Sequence, residues 1–362
     1  METIKNEPGL FGLKRSNRDF TSKDSWGKNQ FNSSFPAALC AYFESKNIKS
    51  NYITVLNDKV TVTDISISDL FGISSLDQNE IFYSFESQFS PFNMYVNGSL
   101  PRTDLVIQDI KNKLCIRGLE VKLTALPDQT TFYKTENEYG CELVVRPDTI
   151  VYLACSLISN IEKNNTEEFR KFFDIDIKDW SESESVISNK DFILDGIKNI
   201  SNILSLSNNS SPLLLQPIWK TKGKSPDLSD YCLDLFAWSD VGFARFIHDI
   251  SLNTFNSKNI KITRQFRTCV WLYKMLHEYF KDGVFNYKKI IDQLSYNIKN
   301  DKAFSSQGSI TNSFMTCENL IKPRINKKEI KNIILGNGQD LLSPERRFDA
   351  IIYNSPDLFK IT

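Results

Sequence analysis

Two neighbouring runs constrain this chain more than any other feature: Thr103–Gln108 (TDLVIQ) and Leu114–Leu123 (LCIRGLEVKL), separated by the polar stretch DIKNK. Both are rich in Val, Ile and Leu and flank a polar turn, which is the pattern of paired β-strands. Joined as an antiparallel hairpin centred on Asn112, they bring into register residues whose numbers sum to 224. Asp104 then faces Glu120, and Arg102 faces Lys122. Leu105 faces Leu119, and Thr103 faces Val121. Because strand side chains alternate, one face of this hairpin is apolar and fit for packing, and the other carries two carboxylates beside two cations. A bulge at Gly118 would break that register.

The surrounding elements supply a setting for the hairpin. A helix is expected over FPAALCAYFESK, opened by Ser33 or Ser34 with Pro36 in its first turn. Strands are expected over Asn51–Leu56 and Glu80–Phe85, a buried helix over Thr149–Ile161, and a buried strand over Pro212–Trp219. This order predicts an α/β fold of the α+β kind, a central mixed sheet flanked by helices. Residues 163–211, rich in Ser, Asn, Asp and Glu, read as a surface excursion with one or two short helices. Long helices follow near 240–252 and 264–281. The expected division is a core with an N-terminal arm over 1–230 and a more helical, basic part over 231–362.

Composition removes several classes. No run of 18 apolar residues occurs and the N-terminus lacks a signal-peptide core, so no membrane partner and cytoplasmic residence are expected. The 44 basic and 44 acidic residues balance, which excludes a histone-like DNA binder but not an enzyme with a locally charged groove. The seven cysteines include no CxxC pair, so they read as small buried side chains rather than zinc ligands. His248 and His277 fall in expected helices, where packing is the ordinary role.

The charged face of the hairpin carries the chemistry. An acidic-x-Lys triplet alone means little, since others start at Glu44, Asp109, Asp176 and Glu329. The one at Glu120 lies within an apolar strand with an acidic strand residue upstream. Two carboxylates ~5 Å apart across a strand pair repel each other. A divalent cation between them removes the conflict, and hard oxygen donors of this kind suit Mg²⁺, which binds one or two carboxylates plus phosphate oxygens. The pattern thus implies a phosphodiester substrate, with an exposed hairpin face of two salt bridges as the alternative.

PxxD (Pro101–Asp104) followed on the next strand by ExK (Glu120–Lys122) resembles the PD-(D/E)xK nuclease superfamily. The strings GLFGLKRSNRDF, WGKNQFNSSFPAALCAYF, LPRTDLVI, LEVKLTALPD and EYGCELVVRPDTIVYLA together resemble the HindVP/HgiDI type II restriction endonucleases. The resemblance implies a restriction-endonuclease-like core and Mg²⁺-dependent cleavage of double-stranded DNA at a short degenerate palindrome of the form GRCGYC. It also implies 5′-phosphate products, and a methyltransferase partner within a restriction-modification system. Asp104, Glu120 and Lys122 match the catalytic pattern, with the Val121 carbonyl as a further metal ligand. A palindromic target implies a homodimer. Candidate DNA contacts are Lys28, Gln30, Asn32, Arg102, Arg245, Arg264, Arg267, Arg346 and Arg347, each of which also reads as an ordinary surface or paired polar residue. Rival readings are a repair or branched-DNA nuclease of the same superfamily and a non-catalytic DNA-binding protein.

Overall fold

A computed structural model describes residues 39–40, 42–122, 142–164, 166–207, 210–217, 235–255, 261–298 and 302–307. Nine strands are named among them. β1 (Ser50–Leu56) and β2 (Lys59–Ile65) form a hairpin whose two-residue turn is Asn57–Asp58. Both turn residues take positive φ, 49° and 65°, a conformation that Asn and Asp tolerate and that suits the hairpin twist. β3 (Ile81–Ser87), β4 (Thr103–Asp109) and β5 (Leu114–Val121) form an antiparallel meander. β6 (Glu142–Val145) pairs with β9 (Phe304–Gln307) in a separate two-stranded sheet. β7 (Pro212–Pro217) and β8 (Leu235–Ser239) complete a seven-stranded mixed sheet in the order β2-β1-β8-β7-β5-β4-β3. The β5–β7 and β1–β8 contacts are parallel, and the others are antiparallel. This is the expected mixed sheet flanked by helices.

Four long helices build the core beside the sheet: α1 (Pro147–Glu162), α2 (Lys190–Leu206), α3 (Asp240–Leu252) and α4 (Arg264–Asp282). A shorter α5 (Tyr287–Gln293) follows α4. α1 starts on Pro147, which suits a first helical turn, and is buried on nearly every side by β4, β7, α3 and α4. α3 is capped by Ser239, whose hydroxyl accepts from the Gly242 amide at 2.8 Å. A Cβ at Gly242 would stand 2.8 Å from the Ile53 carbonyl, so glycine is what lets this helix approach β1. Next to its charged end the β4–β5 hairpin is covered on both sides, while its turn end leaves Ile110 and Leu114 exposed. Val106 joins the helical core on one side, and Leu105, Ile107 and Leu119 are buried on the other. Cys40, Cys155 and Cys269 are buried. Among the described residues no helix is long and apolar enough to cross a membrane.

The structure corrects several sequence expectations. The segment 163–211 is not mainly a surface excursion, because α2 runs for 17 residues and buries Ile193, Ile197, Ile200 and Leu204 on one stripe. Its Ser, Asn, Asp and Lys residues lie mostly outside that stripe, which is why composition alone misread it. The sequence reading lacks β2 and the short strands β6, β8 and β9. Arg245 and Arg267, expected as DNA contacts, point inward instead. Arg245 pairs with Asp58 in the β1–β2 turn and bonds Asn202 Oδ1 at 2.7 Å, which ties α3 to α2 and the sheet edge. Arg267 is 1 % exposed and donates to the carbonyls of Ser295, Ile298 and Lys302 at 3.4, 3.0 and 3.2 Å. Its guanidinium also lies 4.5 Å from the Trp271 ring centre.

A buried cation bonded to three carbonyls is expensive to delete, because its acceptors lose their donors. Arg267→Met is expected to lower the unfolding free energy by about 3 kcal/mol in urea titration. An unchanged midpoint would show that this network contributes nothing to folding.

Candidate active site

The β4–β5 register pairs Leu105 with Leu119, Val106 with Gly118 and Ile107 with Arg117. Carried one step further, it sets Asp104 opposite Glu120. A bulge does occur, but at Ile116, where Gln108 pairs with Cys115, so it falls on the turn side and leaves the charged end in register. Gly118 serves a different purpose: a Cβ there would stand 3.0 Å from Phe89 Cβ, so its absence admits Phe89 against the strand.

Glu120 is 7 % exposed, and its carboxylate is held from several sides. Oε1 pairs with Lys122 Nζ and accepts from Thr149 Oγ1 at 3.3 Å, and Oε2 has a longer contact with Thr103 Oγ1 at 3.5 Å. Thr103 also donates to the Leu119 carbonyl at 2.9 Å. Asp104 Oδ2 accepts from the Val121 amide at 2.8 Å, and the Lys122 amide donates to the Leu215 carbonyl at 2.9 Å, which clamps the end of β5 to β7. Behind the site, Tyr152 Oη donates to the Pro101 carbonyl at 2.8 Å and accepts from the Phe89 amide at 3.1 Å.

The electrostatics follow from this crowding. Burial, and then the Glu120 charge, push the Asp104 carboxyl up to about 7, while Lys122 and the Val121 amide pull the other way. Asp148, in the first turn of α1, is also raised, first by burial and then by Glu120, against the pull of Lys122, Arg146 and Lys288. Acids from β4, β5 and α1 therefore share one field with three cations.

Asp104, Glu120, Val121 and Lys122 are thus brought together. Arg102 is exposed one residue before β4, and Arg264 is half-buried at the start of α4. Lys28, Gln30, Asn32, Arg346 and Arg347 lie outside the described residues, and Arg245 and Arg267 are interior. His248 sits 2.7 Å from Asp249, and His277 packs against Trp180 and Tyr273, where burial pushes it down to about 4. Sequence reasoning missed Asp148 and Thr149. Their only signal is polarity in the opening turn of a helix whose next six residues, Ile150–Cys155, are buried and mostly apolar.

The sequence matches the model of the HindVP restriction endonuclease family over residues 26–359. The chain belongs to that family. It is 48% identical over 354 residues to a probable type II restriction enzyme HindVP of Haemophilus influenzae, an alignment covering 98% of this chain and 96% of the relative. It is 40% identical over 358 residues to the type II restriction enzyme HgiDI of Herpetosiphon aurantiacus, covering 98% of each. No solved structure matches it. As a member of the HindVP family the chain is a restriction endonuclease.

The donor set of this family member suits one type of ion. Among the described residues no group of three or more His, Cys, Asp or Glu side chains is arranged to hold a metal. Asp104 and Glu120 offer hard oxygen donors and no soft ones, which fits a divalent ion that keeps several waters and takes one or two carboxylates. It does not fit the closed ligand cage of structural zinc.

The raised Asp104 carboxyl gives a pH expectation with a definite sign. Below 3.8 the group is protonated both folded and unfolded; between 3.8 and about 7 the unfolded chain ionises it first, so folding stability falls as pH rises through this window. Asp104→Asn removes that loss. In unfolding experiments without divalent ions, the variant should gain on the natural chain as pH goes from about 4 to about 8. Parallel pH profiles for the two proteins would show that the carboxyl is not buried in this way.

Proposed function

We propose that this chain is a type II site-specific deoxyribonuclease that hydrolyses duplex DNA, with Mg²⁺ held by Asp104, Glu120 and the Val121 carbonyl. The observation that carries the reading is the cross-strand pair of acids with Lys122 at its edge, in a chain of the HindVP restriction endonuclease family. Bound there, Mg²⁺ would supply acidified water and stabilise charge at phosphorus and the leaving oxygen. Asp104 and Glu120 would neutralise the ion, and Asp104, whose carboxyl burial pushes up to about 7, must lose its proton to do so. Lys122, which offsets the Glu120 charge, is the group to orient the attacking water and to balance phosphate charge. In-line attack leaves a 5′-phosphate and a 3′-hydroxyl.

The target on this reading is a short degenerate palindrome similar to GRCGYC, cut by a homodimer with one site per strand. A cognate methyltransferase protects the host within a restriction-modification system, and the enzyme acts in the cytoplasm of a prokaryotic cell. Arg102, exposed beside the catalytic strand, Arg264, and Lys28, Gln30, Asn32, Arg346 and Arg347 remain the proposed DNA contacts. Residues 1–230 are proposed as the catalytic core and residues from about 231 as the recognition and dimerisation part, although β8 of that part is built into the main sheet.

Purified protein incubated with unmethylated plasmid and Mg²⁺ should give discrete fragments. Smears or structure-selective nicks would instead mark a repair nuclease, and gel-shift binding without any cutting would mark a non-catalytic DNA binder. Asp104→Ala, Glu120→Ala and Lys122→Ala should each reduce cleavage on the order of a thousandfold and leave metal-free duplex binding largely intact. Near-normal cutting by Glu120→Ala would remove the assignment.

A further inference from the structure

We infer that α1 is a positioning brace for the catalytic pair, acting through the hydroxyls of Thr149 and Tyr152. The inference rests on the proposed nuclease reading. The two residues are three apart and share a helix face. Thr149 is 0 % exposed and Tyr152 2 %, while their neighbours Ile150, Val151, Leu153 and Ala154 are buried and apolar. A packing role at these positions needs no hydroxyl, and a buried hydroxyl without partners is costly. Both hydroxyls are engaged with the walls of the site. Thr149 donates to Glu120 Oε1 at 3.3 Å. Tyr152 donates to the carbonyl of Pro101 at 2.8 Å, three residues before Asp104, and receives the Phe89 amide at 3.1 Å. One helix thereby sets the carboxylate of β5 and the backbone that leads into β4.

The brace has a fixed far end. Ser156 and Asn160, further along α1, donate to the buried carboxylate of Asp240 at 2.8 and 2.5 Å. At the last turn, Glu162 accepts from Tyr95 and Tyr279, both at 2.6 Å. The helix is therefore anchored along its length while its opening turns hold the site. The division of contacts on Glu120 is also informative. Lys122 and Thr149 both engage Oε1, so Oε2, with its 3.5 Å contact to Thr103, is the oxygen with spare accepting capacity. When Lys122 turns to substrate, Thr149 is the contact that keeps the carboxylate from rotating.

Three variants test this: Thr149→Val, which keeps shape and removes the hydroxyl, Thr149→Ser, which returns it, and Tyr152→Phe, which keeps the ring. The readouts are Mn²⁺ affinity by calorimetry, single-turnover cleavage rate, metal-free duplex affinity and thermal midpoint. Partners that orient metal-binding side chains typically contribute about 10–100-fold. Thr149→Val should weaken Mn²⁺ binding and slow single-turnover cleavage by about tenfold or more, and Thr149→Ser should recover most of both. Tyr152→Phe should slow the cleavage step by about tenfold without changing metal-free duplex affinity. Wild-type rates and Mn²⁺ affinity in Thr149→Val and Tyr152→Phe would overturn the inference while leaving the nuclease reading standing. So would losses that track thermal midpoint and duplex affinity, with Thr149→Ser no better than Thr149→Val. Wild-type protein that neither takes up Mn²⁺ nor cuts would overturn both.

Discussion

Holding two carboxylates against each other across a pair of strands costs free energy, and much of this molecule is organised around that cost. Asp104 and Glu120 repel, and burial sharpens the repulsion because water no longer screens it. The charges are met by Lys122, by the Val121 amide and by the hydroxyl of Thr149. No set of hydrophobic contacts would select such an arrangement for stability. Local conflict of this kind, within a well-packed sheet, is what is expected where function overrides folding economy.

The sheet divides the labour. The β3-β4-β5 meander carries the acid pair, and β7, β8 and β1 form a platform on which α1, α2 and α3 pack, with α4 packed in turn on those helices. Arginines that look from sequence like DNA-reading residues hold this platform together. Arg245 joins the β1–β2 turn to two helices, and Arg267 gathers the carbonyls of the segment after α5. Arginine suits this use because its planar fork can satisfy several acceptors at once.

The hairpin and its acid pair were legible because strand alternation has a strict period and the connecting turn fixes the register. The long helices over 240–252 and 264–282 were legible for a similar reason, since their apolar residues recur at helical spacing. What was lost is physically distinct. β8, with five consecutive buried residues, shows no alternation, and β6 has only four residues. Arg245 and Arg267 were misjudged because charge suggests surface unless partners distant in sequence are known. Asp148 and Thr149 were overlooked because the run from Thr149 to Ile161 announces a core helix, and nothing in sequence says that its first turn ends beside Glu120. The family resemblance pointed to the proposed catalytic residues but said nothing of what steadies them.

The seam between β5 and β7 has a mechanical meaning. Among the described residues the meander joins the platform within the sheet through Glu120–Leu214, Val121–Leu215 and the Lys122 amide alone. Below these rungs lies a cleft of about 110 Å³, lined by Gly118, Tyr152, Ser156 and Leu213. Two rungs leave little backbone pairing to resist a twist of one portion of the sheet against the other. Glu120 and Lys122 stand on that seam, and α1, bonded to Glu120 and to Asp240, spans it, so the two portions are fastened together where the acidic cluster lies.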